Sequence, residues 1–98
     1  MSPRALRRYA RRDSNEPSLV KTIKQLGATW LSLSIVDGPD GLIGWRGRNY
    51  LVEVKTVKGK HKPGQTVFAE TWAGTIHVLR TSEDVCQLLG VNVEDIPA

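Results

Sequence analysis

Pro39-Asp40-Gly41-Leu42-Ile43-Gly44-Trp45-Arg46-Gly47-Arg48-Asn49-Tyr50-Leu51-Val52-Glu53-Val54-Lys55 reads as a strand, a tight reversal and a returning strand, and the rest of the fold is built around it. Gly41 to Arg46 forms the first strand, Gly47-Arg48-Asn49 the reversal, and Tyr50 to Thr56 the return. Side chains alternate faces along a strand. Glu53 and Lys55 therefore point one way with Leu51, while Tyr50, Val52, Val54 and Thr56 point the other. A carboxylate and an ammonium on one face, backed by an apolar face, describe a site supported by a core.

Working outward on the N-terminal side, Thr29 to Val36 alternates apolar and polar residues as a half-buried strand does, and Asp37-Gly38-Pro39 forms the turn that follows. With the central pair this strand makes an antiparallel meander. Upstream, Asp13-Ser14-Asn15 supplies N-cap candidates and Pro17 suits a first helical turn, where its missing amide costs nothing. Leu19, Val20, Ile23 and Leu26 recur at helical spacing and Gly27 is a stop, so the spacing predicts a helix over 16–26. Glu16 falls on the inward side of its first turn, where the helix dipole also favours an acid.

On the C-terminal side, the residues from Lys58 to Gly64 form a basic loop directly after the proposed site. From Gln65, the residues Phe68, Ala69 and Trp72 repeat at helical spacing up to Gly74. Thr75 to Leu79 is a fourth strand, and Thr81 or Ser82 caps a last helix that runs through Leu89 to Gly90. The predicted order is α-β-β-β-α-β-α, an α/β fold with Trp72 in its core and Trp45 on a face suited to dimerisation.

The chain has 98 residues, one cysteine and a formal net charge of +4. That length holds one small domain. A lone Cys86 excludes an intrachain disulfide and a multi-cysteine zinc site, and reads as a buried thiol on a helix. His61 and His77 lack zinc-ligand spacing. No Gly-rich phosphate loop is present, so no nucleotide cofactor is expected. No apolar stretch approaches the roughly 18 residues a membrane span needs, and no secretory signal pattern follows the basic N-terminus, so an intracellular location is expected.

The charge is concentrated. Arg4, Arg7, Arg8, Arg11 and Arg12 all precede the first acid, Asp13, leaving nine basic against ten acidic residues in the remainder. Residues 1–14 thus form a basic arm suited to phosphate backbones, and 15–98 form the domain. Arg7, Arg8, Arg11 and Arg12 from the arm, with Arg46, Arg48, Lys58, Lys60 and Lys62 near the expected active edge, are candidates for gripping nucleic acid.

Two carboxylates from neighbouring strands, Asp40 and Glu53, with the main-chain carbonyl of Val54 between Glu53 and Lys55, offer hard oxygen ligands. Mg2+, or Mn2+ in its place, favours such ligands. Lys55 beside the ion would orient water or offset charge in the transition state. Hydrolysis of a phosphodiester is the reaction these groups suit, with Glu16 holding a metal-bound water or a second ion.

At this point the chain resembles the PD-(D/E)xK nuclease superfamily over about Asn15 to Leu89. Within it, the chain is most similar to stand-alone VRR-NUC domains and Holliday-junction resolvases. The resemblance matches Glu16 to the leading helix acid, Pro39-Asp40 to the Pro-Asp pair, Glu53-Val54-Lys55 to the acid-x-lysine, and Gln65 to the glutamine of the next helix. It implies a restriction-endonuclease-like α-β-β-β-α-β core with a mixed central sheet and flanking helices. It further implies catalytic roles for Glu16, Asp40, Glu53, Lys55 and Gln65, metal binding at Asp40, Glu53 and Val54, branched DNA as substrate, and a homodimer. A phage or bacterial origin is compatible with it. A non-catalytic nucleic-acid-binding module of the same fold, or a monomeric flap or duplex-end nuclease, remain the alternatives.

Overall fold

The computed structural model describes residues 15–56 and 68–97. A four-stranded sheet has the order β1-β2-β3-β4, with β1 at Thr29–Ser32, β2 at Gly41–Trp45, β3 at Arg48–Val54 and β4 at His77–Leu79. β1, β2 and β3 pair antiparallel and form the expected meander. β4 joins β3 in parallel, which makes the sheet mixed. Helix α1 spans Glu16–Gln25 and α2 spans Ser82–Leu89, and a 3₁₀ turn at Val93–Asp95 follows.

One sheet face makes the core. Leu19 and Ile23 of α1 and Val85 and Leu89 of α2 pack on Ile43, Val52, Val54 and Leu79. These fall at alternate strand positions, as residues that share one sheet face do. Thr22 and Ser82 bring their hydroxyl oxygens to 3.1 Å where the two helices meet. Cys86 is buried beside them, and burial, followed by the nearby charges of Asp95 and Glu83, pushes its thiol above the ordinary range.

The helix boundaries follow the stop signals. Gly27 adopts φ +88° just past α1, and Gly90 adopts φ +72° at the end of α2. α2 opens on a capping box: the Thr81 hydroxyl accepts from the Asp84 amide at 3.1 Å, and the Asp84 carboxylate accepts from the Thr81 amide.

Several expectations are corrected. β1 ends at Ser32 rather than Val36, because the chain folds into a turn in which Gly38 donates to the Ile35 carbonyl and Asp37 adopts φ +57°. Ile35 and Val36 are consequently exposed. The β2–β3 reversal is not Gly47-Arg48-Asn49 but the pair Arg46-Gly47, at φ +49° and +79°, with Trp45 already opposite Arg48. Positive φ at both central residues is what a two-residue turn between twisted strands demands. β4 begins at His77 rather than Thr75.

The tryptophans also depart from expectation. Trp72 is 48% exposed and stacks on Phe68 at 5.5 Å, so it is a surface residue rather than core. Trp45 is not a free face for dimerisation. It packs against the core and donates its indole N–H to the Leu89 carbonyl at 3.2 Å, satisfying the end of α2. Residues 68–71 are helical, and the start of that predicted helix lies outside the described residues. Among the described residues no helix is long and apolar enough to cross a membrane.

Candidate metal and nucleic-acid site

Val52 and Val54 point into the core at 0% and 1% exposure, so alternation sends Glu53 and Lys55 to the opposite sheet face. Both are nonetheless buried, at 4% and 6%. The main chain holds Lys55 in the ladder, its amide donating to the Leu79 carbonyl at 3.0 Å. Placing two opposite charges under cover demands that each be compensated locally. Glu53 and Lys55, two positions apart on β3 and just past its end, carry opposite signs.

Asp40 is tied to the end of β3 by hydrogen bonds. β2 pairs Gly41 with Val52, and Asp40 immediately precedes that pair. The Asp40 amide donates to the Val52 carbonyl at 2.9 Å, and its carbonyl accepts from the Leu33 amide at 2.8 Å. The Asp40 carboxylate is itself oriented, because Oδ2 accepts from the Val54 amide at 2.7 Å. Pro39, fully buried, fixes the approach to this point. Val54 can contribute to a ligand set only through its main chain, since its side chain lies in the core.

The end of β3 is stapled from elsewhere. The Asn15 side-chain amide donates to the carbonyls of Lys55, at 3.0 Å, and Arg80, at 2.6 Å. Arg80 reaches back to the Thr56 carbonyl, while its amide donates to the Asp84 carboxylate at 2.8 Å. Asn15 was expected as a helix cap, yet it occupies the cap position of α1 without a capping bond and ties the ends of the two parallel strands instead. Asn15, Arg80 and Asp84 are thus positioning residues that local sequence reading missed. The only local signal was a polar residue before Glu-Pro, which resembles a cap.

Glu16 follows Asn15 directly and is half-buried. Among the described residues no three His, Cys, Asp or Glu side chains converge into an ion-holding group. Asp40 lies beside the end of β3 through its bonds to Val52 and Val54, and Glu16 adjoins Asn15, which bonds the Lys55 carbonyl. Two carboxylates and a main-chain carbonyl are hard oxygen donors, and this donor chemistry suits Mg2+ or Mn2+ while leaving positions for water.

Arg46 and Arg48 are not at the active edge. They flank the β2–β3 hairpin tip, and seven strand residues at about 3.3 Å each separate Arg48 from Lys55, roughly 23 Å. Arg46 instead lies over the Trp45 ring at 4.7 Å. His77 is structural, its ring edge against Tyr50 at 5.6 Å. Arg7, Arg8, Arg11, Arg12, Lys58, Lys60, His61, Lys62 and Gln65 lie outside the described residues. No family model, curated protein or solved structure matches the chain.

Proposed function

We propose that the chain is a divalent-metal-dependent nuclease that hydrolyses phosphodiester bonds in branched DNA, acting as a two-fold dimer. The observation that supports this reading is the Asp40 carboxylate accepting from the Val54 amide, between the buried Glu53 and Lys55 of one strand. Asp40 and Glu53 are fixed oxygen donors on adjacent strands. Lys55, held by the β4 ladder and the Asn15 staple, is a cation placed to orient a water or to offset charge gathering on the phosphoryl oxygens. When bound, magnesium or manganese would lower the pKa of a coordinated water and neutralise charge at phosphorus. Burial of Glu53 and Lys55 keeps their positions fixed, as preorganised electrostatics requires. Dimerisation would bury surface that a chain this small cannot cover by itself.

The test is a panel of four-way junction, flap, single-strand and linear duplex DNA incubated with Mg2+ or Mn2+, alongside a solution mass. The expected outcome is junction cleavage by a dimer, reduced about 100-fold or more in Asp40→Ala and Glu53→Ala. Lys55→Ala should lower the rate while leaving junction binding in place. Cleavage by the variants at the wild-type rate would overturn the assignment. Junction binding with no cutting under either metal would instead establish a non-catalytic binding module, and flap cutting by a monomer the simpler nuclease.

A further inference from the structure

Between α1 and the outer strand β1 lies an open groove of about 720 Å³. Helical spacing builds one wall. Leu19, Thr22 and Ile23 turn into the core, which leaves Glu16, Val20 and Lys24, four residues apart, along the groove with Lys21 beside them. β1 supplies Trp30 and Ser32 opposite. The indole is held in place, since its N–H donates to the Ser32 hydroxyl at 3.0 Å and its six-membered ring fills the space above Gly41 where a side chain would otherwise sit. Lys21 and Lys24 are both exposed.

An aromatic ring, a short apolar wall and two ammonium groups match the alternation of base and phosphate in a nucleotide chain. Bases stack on aromatic rings and phosphates exchange their counterions for lysines. Glu16 at one end disfavours phosphate there and directs the backbone toward Lys21 and Lys24. That same end adjoins Asn15, whose amide holds the Lys55 carbonyl. The groove therefore opens beside the end of β3. We propose that it carries an unpaired strand of nucleic acid leading away from the Asp40, Glu53 and Lys55 site, an inference that rests on the nuclease reading for its polarity toward that site.

The experiment measures metal-free binding of a fluorescein-labelled single-stranded oligodeoxynucleotide of about ten nucleotides by anisotropy. Asp40→Ala serves as the parent protein, so that no substrate is consumed. Adding Lys21→Gln and Lys24→Gln should weaken binding about tenfold at 0.1 M salt. It should also reduce the slope of log K against log salt by about 1.4, the single-strand value for two lost contacts. Unchanged affinity and slope would overturn the groove as a strand path, whatever the cleavage panel shows. Displacement by poly-glutamate as readily as by unlabelled oligonucleotide would overturn the nucleic-acid assignment in favour of an acidic peptide. Because binding is read without metal, a wild-type protein that cuts no DNA removes the nuclease reading without touching this measurement.

Discussion

Among the described residues Glu53 and Lys55 are the two charged side chains in the buried set. Removing one partner of a buried charge pair leaves the survivor desolvated and uncompensated, at a cost of about 3–5 kcal/mol, whereas replacing both with apolar groups of similar size is often close to neutral. Glu53→Leu and Lys55→Met should therefore each destabilise the protein strongly, and the double variant should be markedly more stable than the sum of the two predicts. Urea unfolding in EDTA checks this. Additivity within about 0.5 kcal/mol would mean the two charges do not interact. That these residues share a face was legible in the sequence, because Val52 and Val54 fix the inward side and period-two alternation does the rest. The role of Asn15 was not. Its partners are the carbonyls of Lys55 and Arg80, 40 and 65 residues away, and no local pattern records a bond of that span.

At the scale of elements, the β2–β3 hairpin brings Asp40 to the Val52 carbonyl and the Val54 amide, and two of its glycines do different jobs. Gly47 occupies φ +79° with nothing near the position of an added Cβ, so its cost on substitution is conformational alone. Gly47→Ala should lose about 1–2 kcal/mol. Gly41 has ordinary φ, but an added Cβ would meet the Trp30 ring and approach the Leu31 carbonyl to 2.7 Å. Since backbone cannot yield as a side chain can, Gly41→Ala should cost more than Gly47→Ala and should perturb Trp30 fluorescence, which Gly47→Ala should leave alone. Equal losses with unchanged fluorescence would refute that difference. The meander, both flanking helices and the α2 capping box were readable from alternation, helical spacing and stop signals. The exact reversal was not, since the sequence Trp-Arg-Gly-Arg-Asn offers several two- or three-residue turns. The choice of Arg46-Gly47 comes from pairing across the strands, which puts Trp45 against Arg48 and Trp45 under the end of α2. Trp72 likewise has helical spacing with Phe68, but that spacing alone does not say which side of a helix finds a core.

For the whole molecule, the distribution of charge is the property that separates binding from chemistry. Five arginines fall within residues 1–14, and nine basic residues face nine acidic ones in residues 15–98, so the cationic excess and the residues Asp40, Glu53 and Lys55 occupy different parts of the chain. Phosphate contacts set affinity and its salt dependence without reading sequence or performing chemistry. A full-length variant with Arg4, Arg7, Arg8, Arg11 and Arg12 changed to glutamine should bind duplex DNA more weakly at 0.15 M salt, and its slope of log K against log salt should fall by up to about 4.5, at roughly 0.9 per lost contact. At low salt and saturating DNA its metal-dependent cleavage rate should stay within a few-fold of wild type, because none of the five lies among the groups proposed to act on the phosphodiester. Asp40→Ala should behave in the opposite sense, keeping the salt slope and losing the cleavage. If the arginine variant kept its slope, the excess charge would have no part in binding. If it lost cleavage at saturation, the arm would belong to the reacting centre, and the division between gripping and cutting would have to be redrawn.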